Sequence, residues 1–151
     1  MTVSVSKATV LRTALTALAC AGAIAAVTPA LAASVAMKAD LSAANEVPVN
    51  DSKGSGSVAV TFDDASHKLT WKGSYANLSG PPTAAHFHSA EKGKNGGVAI
   101  LIFSGANAKS PFEGEATLTP AQASDLMAGK FYVNIHTEAH KAGEVRGQVA
   151  K

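Results

Sequence analysis

Apolar and polar residues alternate strictly through much of this chain, and that period leaves few folds open. Val35, Met37, Ala39 and Leu41 share one face of their segment while Lys38 and Asp40 share the other. Val58, Val60 and Phe62 repeat the pattern, as do Leu69, Trp71 and Tyr75 against Thr70 and Lys72. A period of two belongs to strands with one buried face, because successive side chains leave the backbone on opposite sides. Asp63-Asp64-Ala65-Ser66 has the composition of a hairpin turn, and Ser79-Gly80-Pro81-Pro82 punctuates the next gap.

Further strands are expected at 84–89, 98–103, 112–118, 131–137 and 144–149, with Asn95-Gly96-Gly97 as a turn between the first two. A single helix is expected. Thr119 can cap it, Pro120 suits its first turn, Gln122 completes a capping box and Gly129 ends it. The pattern therefore predicts an all-β fold, an antiparallel Greek-key β-sandwich or barrel with one short crossover helix. No internal repeat and no second domain is visible.

Residues 1–32 have the three parts of a secretory signal peptide. Lys7 and Arg12 form a positive start, 15–27 is an uncharged apolar stretch, and Ala30-Leu31-Ala32 is an A-x-A cleavage site. The Ala-rich stretch is shorter than the roughly 20 apolar residues of a spanning helix, so cleavage is expected and no membrane association after it. Cys20 follows Ala17-Leu18-Ala19, but its Leu stands one place too close for a lipoprotein signal. The expected mature domain, 33–151, is secreted or periplasmic. Losing Lys7 and Arg12 takes the 13 basic residues to 11, equal to the 11 acidic ones, and this balance argues against nucleic acid as a partner. The only cysteine leaves with the leader, which excludes disulfides, thiol catalysis and Cys-based metal sites from the mature chain.

Five histidines remain: His67, His86, His88, His136 and His140. His67 lies beside a hairpin turn and reads as a solvated loop residue. His86 and His88 are two apart, so they leave the same face of a strand roughly 6.6 Å apart, with Phe87 pointing the other way. In the later strand Phe131, Val133 and Ile135 form the apolar face, leaving Tyr132, Asn134 and His136 opposite. The last strand repeats this, with Val145 and Val149 inward and Glu144, Arg146 and Gln148 outward. All three strands are thus expected to put their polar groups on the solvent side of the sandwich.

A His-x-His pair joined by a third His from another strand is a metal-site pattern, since imidazole nitrogens can converge on one ion at about 2.0–2.1 Å. Imidazoles without thiolates suit copper or zinc, and copper stands higher in the general affinity order. The expected ligands are His86, His88 and His136. His140 could close the site or lie outside it, and Glu144 and Arg146 could orient a ligand ring. The competing reading is that these histidines are merely solvated strand residues.

Two blocks carry a family resemblance. One is Ala85-His86-Phe87-His88 with Asn95-Gly96-Gly97-Val98 and Ile100-Leu101. The other is Tyr132-Val133-Asn134-Ile135-His136-Thr137 with Gly143-Glu144-Val145-Arg146-Gly147-Gln148. With the opening Leu41-Ser42-Ala43-Ala44-Asn45-Glu46-Val47-Pro48, the sequence resembles the CHRD domain, a module named after the extracellular protein chordin and also found singly in secreted bacterial proteins. The resemblance implies an extracytoplasmic β-sandwich whose activity is mostly unassigned. The arrangement is also similar to the copper/zinc superoxide dismutase architecture, in which a His-x-His strand helps build a copper site outside a Greek-key barrel. The chain lacks the cysteine pair of those enzymes and has too few histidines for a bimetallic site, which argues against dismutation.

Two functions follow as expectations. The first is a metal-binding domain for copper, with zinc as the alternative cofactor, serving in binding, buffering or delivery rather than catalysis. The second is an extracellular interaction module for a protein partner, with Asn134, His136, Glu144 and Arg146 as a polar supporting layer and no metal. A hydrolase using Ser89 or Ser104 has no nucleophile-elbow pattern behind it.

Overall fold

The computed structural model describes residues 1–2 and 34–151. Apart from residues 1–2, the expected leader lies outside the described residues. The remainder forms β1 (Ser34–Ser42), β2 (Ser55–Asp63), β3 (Lys68–Ala76), β4 (Pro82–Ser89), β5 (Gly97–Ser104), β6 (Phe112–Thr117), α1 (Pro120–Met127), β7 (Phe131–Thr137) and β8 (Val145–Gln148). All strand pairs are antiparallel, in one sheet of order β5-β4-β7-β8-β1-β2-β3-β6. The two edge strands, β5 and β6, approach each other, so the sheet is a nearly closed barrel. With β6 next to β3 and β5 next to β4, the chain from β3 to β6 follows the Greek-key order. The expected all-β fold with one short helix is what the chain adopts. No helix among the described residues is long and apolar enough to cross a membrane.

Alternation fills the interior as expected. Met37, Ala39 and Leu41 from β1, Val58, Val60 and Phe62 from β2, and Leu69 and Trp71 from β3 are buried. Ala85 and Phe87 from β4 meet Phe131, Val133 and Ile135 from β7. Each large apolar side chain removed from water in this way contributes about 1.5–3 kcal/mol. Helix α1 has the expected capping box, with the Thr119 side chain accepting from the Gln122 N–H and Gln122 accepting from the Thr119 N–H. Ala123 and Leu126 face the core, and Gly129 leaves the helix at φ +75°.

The outer face of β4, β7 and β8 departs from expectation. Parity holds, but the face is not solvent-exposed: His88 is 8%, Asn134 3%, Arg146 2% and Glu144 0% exposed. The cause is the connections, which fold back over the sheet. Asn95 Nδ2 donates to the Val47 carbonyl, tying the β4–β5 loop to the β1–β2 connection. Asn50 Nδ2 donates to the Glu144 carbonyl, and His136 engages the Lys141 carbonyl. The strands therefore separate two interiors, an apolar core inside the barrel and a polar layer beneath the loops.

Candidate metal centre

The register of β4 and β7 assembles the site. His86 stands opposite Asn134, His88 opposite Tyr132 and Ala84 opposite His136, so five polar or aromatic side chains rise from one face. On the other side of β4 the pairing with β5 shifts twice, between Ala85 and His86 and between Phe87 and His88. Such bulges bend a strand and re-aim its side chains.

The ligand nitrogens of His86, His88 and His136 all lie within 4.8 Å of one another. His86 Nδ1 and His136 Nε2 are 3.1 Å apart. An ion held at about 2.0–2.1 Å by tetrahedral ligands spaces their nitrogens by roughly 3.3 Å, so small side-chain rotations suffice to close the group. His136 Nδ1 is 2.9 Å from the Lys141 carbonyl and His88 Nδ1 is 3.0 Å from the Gly96 carbonyl. A carbonyl only accepts, so Nδ1 carries the hydrogen in both rings and each Nε2 presents a lone pair. The Nε2 of His88 is buried without a partner. Backbone carbonyls holding the far nitrogen are the usual way a ligating imidazole is fixed in tautomer and direction.

Burial holds the His86 pKa below the ordinary value, helped by the neighbouring His136 and His88. The His88 pKa is also lowered, first by burial, with the Gly96 carbonyl opposing it. Both rings are thus held neutral near pH 7, the form in which imidazole ligates.

The platform beneath His88 is Tyr132, whose ring is parallel to it within 7° at a centroid distance of 4.9 Å. The Arg146 guanidinium lies 3.4 Å from the Tyr132 ring centroid, a cation–π contact worth about 2 kcal/mol when desolvated. Arg146 also donates to Asn95 Oδ1 at 3.0 Å and to the Lys94 carbonyl. The Gly96 N–H donates to the Tyr132 hydroxyl at 3.1 Å. A Cβ on Gly96 would lie 1.9 Å from the Ser89 carbonyl oxygen, so only glycine lets this peptide approach the site so closely.

Of the residues expected to serve the site, the structure brings together His86, His88 and His136, whereas His140 is not part of that group. It lies in the β7–β8 loop, where its backbone N–H donates to the Thr137 carbonyl and its own carbonyl accepts from the Gly143 N–H. Glu144 orients no ligand ring. Its carboxylate accepts from Ser52 Oγ, from both the N–H and Oγ of Ser79, and from Thr137 Oγ1, pinning two connections to β7. Arg146 acts on the centre through Tyr132 and the 94–96 loop. His67 occupies its turn at φ 56° and stacks on Phe62. Ser89 Oγ donates to Asp125 at 2.7 Å, and Ser104 is exposed.

The groups that sequence reasoning missed are the Gly96 and Lys141 carbonyls, the Tyr132 stack and Glu46. Parity did place Tyr132 and Asn134 beside His136, and the Asn95-Gly96-Gly97 turn was evident, but nothing local signals that the turn folds onto His88. Glu46 is 4% exposed, and burial raises its pKa against the opposing effects of Arg146 and Asn134.

In comparisons with known proteins, the family model of the CHRD domain matches residues 37–149. No curated protein and no solved structure matches the chain.

Proposed function

Because this chain belongs to the CHRD domain family, whose members are typically extracellular, we propose that it is a secreted or periplasmic domain that binds one transition-metal ion. His86, His88 and His136 are the ligands, copper is the foremost ion and zinc the alternative, and the role is binding, buffering or delivery. What supports this is one observation. Three imidazoles converge, and two have their far nitrogens committed to backbone carbonyls, so each Nε2 turns its lone pair to the group, that of His88 unpartnered and that of His136 accepting from His86 Nδ1–H.

Metal analysis of the purified protein, with titration calorimetry, tests the reading. One copper or zinc ion per chain is expected, with binding lost in His88→Ala. Unchanged affinity in that variant overturns the proposal.

The buried network of Arg146, Tyr132, Asn95 and Asn134 favours a second reading, an extracellular interaction module in which this layer only stiffens the fold. That reading expects a protein partner whose binding survives chelation of metal.

A further inference from the structure

Besides Trp71 Nε1 and Glu46 Oε1, two buried side-chain atoms among the described residues have no hydrogen-bond partner: His88 Nε2 and Asn134 Oδ1. The first belongs to a proposed ligand. The second belongs to a side chain that the metal reading leaves unused, although it stands directly opposite His86 and two residues before His136 on β7.

The two ends of the Asn134 amide are not interchangeable. Its Nδ2 donates to the Ala142 carbonyl at 3.4 Å and lies beside the Glu46 carboxyl, where it favours the ionised form. The three groups meet where Gly143 has no side chain: a Cβ there would be 2.4 Å from Asn134 Nδ2 and 2.5 Å from Glu46 Oε1. A carbonyl acceptor requires the nitrogen at this end, so the oxygen is at the other, buried without a partner on the face from which His86, His88 and His136 rise. His88 Nδ1–H is already committed to Gly96, so its Nε2 can only accept. Two acceptors in a buried layer with no donor between them have each given up water without a replacement partner. A cation satisfies both at once.

We propose that Asn134 Oδ1 is a fourth ligand, completing a donor set of three nitrogens and one oxygen, and that it biases the centre toward the divalent ions Cu(II) and Zn(II) over Cu(I). This deepens the metal reading and rests on it. Four donors suit tetrahedral zinc or tetragonal Cu(II), whereas Cu(I) is selected by sulfur ligands and gains little from an amide oxygen.

The test is titration of the purified protein with Cu(II), with Zn(II) and, anaerobically, with Cu(I). Wild type is compared with Asn134→Leu and Asn134→Asp, and circular dichroism checks folding. In Asn134→Leu, Cu(II) and Zn(II) affinity falls by about tenfold or more, while Cu(I) affinity stays within the same order of magnitude. The Cu(II) electron paramagnetic resonance spectrum shifts with it. Unchanged Cu(II) and Zn(II) affinity in that variant overturns the fourth ligand and leaves the three-histidine site standing. Should Asn134→Leu fail to fold, Asn134→Asp decides, since it keeps an oxygen in place: Cu(II) affinity at or above wild type supports the assignment, and a fall overturns it. A wild-type protein that takes up none of the three ions overturns both the site and its fourth ligand.

Discussion

His88 donates its Nδ1–H to the carbonyl of Gly96 at 3.0 Å, and the N–H of that same residue is held by the Tyr132 hydroxyl. The two peptide groups flanking the Gly96 Cα thus fix both the ring and the platform on which the ring stacks. Gly96→Ala would drive a methyl group into the Ser89 carbonyl oxygen, a backbone atom that cannot swing aside. The expected result is a loss of about 1–3 kcal/mol of stability, with metal affinity falling as His88 is released. Gly97→Ala, where a Cβ meets nothing within 4 Å, is the matched control and should leave both unchanged. Thermal melts and metal titrations on the pair check this.

Substituting His140 should separate the group from its neighbourhood. His140→Ala leaves metal affinity unchanged, because this ring is outside the cluster, whereas His86→Ala and His136→Ala each abolish tight binding. A His140 variant as weak as the other two would place a fourth imidazole on the ion.

Arg146 is a buried cation that holds the 94–96 loop down. Replacing it by Ala strands Asn95 Oδ1 and the Lys94 carbonyl and uncovers Tyr132, and each buried acceptor left unpaired costs about 1–3 kcal/mol. Chemical denaturation should report that loss. Limited trypsin digestion should show faster cleavage after Lys92 and Lys94 as the loop lifts.

Acid should weaken the fold through Glu144. Burial alone would raise its pKa, but the donors from Ser52, Thr137 and Ser79 outweigh burial and hold it below the ordinary 4.5. A carboxylate with a depressed folded-state pKa contributes stability that is present above the unfolded value and lost as pH falls through the folded one. The melting temperature should therefore decline below about pH 4.5 through this group, and less steeply in Glu144→Gln. Equal slopes in the two proteins would remove Glu144 from the account.

Metal occupancy should fall on the acid side of neutrality. His86 and His88 have pKa values below the ordinary 6.5, so protons compete with the ion only once the pH drops under that value. Half-loss below about pH 6 is expected. Occupancy that stays flat to pH 4 in equilibrium dialysis would count against imidazole ligation.

The barrel was legible because its interior is written in alternation: Phe87 between two histidines, and Val133 between Tyr132 and Asn134, can face only one way. The helix was legible because Thr119, Pro120, Gln122 and Gly129 each act within one turn of it. Convergence of His86, His88 and His136 followed from the same parity. Exposure did not. Whether an outward side chain meets water depends on what the connections do, and segments such as 43–54 carry no period that says where they rest. Thus Asn134 and Arg146 were placed on the correct face and in the wrong medium. Alternation alone starts the last strand at Glu144, whereas that residue precedes β8 and serves as an anchor for Ser52 and Ser79.

The meeting of β5 and β6 has a bearing on how the folded chain resists aggregation. A sheet that ends in two open borders offers rows of free amides and carbonyls on which another chain can zip, the first step toward aggregates. Here the borders come together where Phe103 of β5 meets Phe112 of β6, their ring centroids 5.4 Å apart, and there each screens its counterpart from strangers. For a domain with no covalent cross-link after residue 32, that mutual shielding is an architectural defence against self-association at high local concentration.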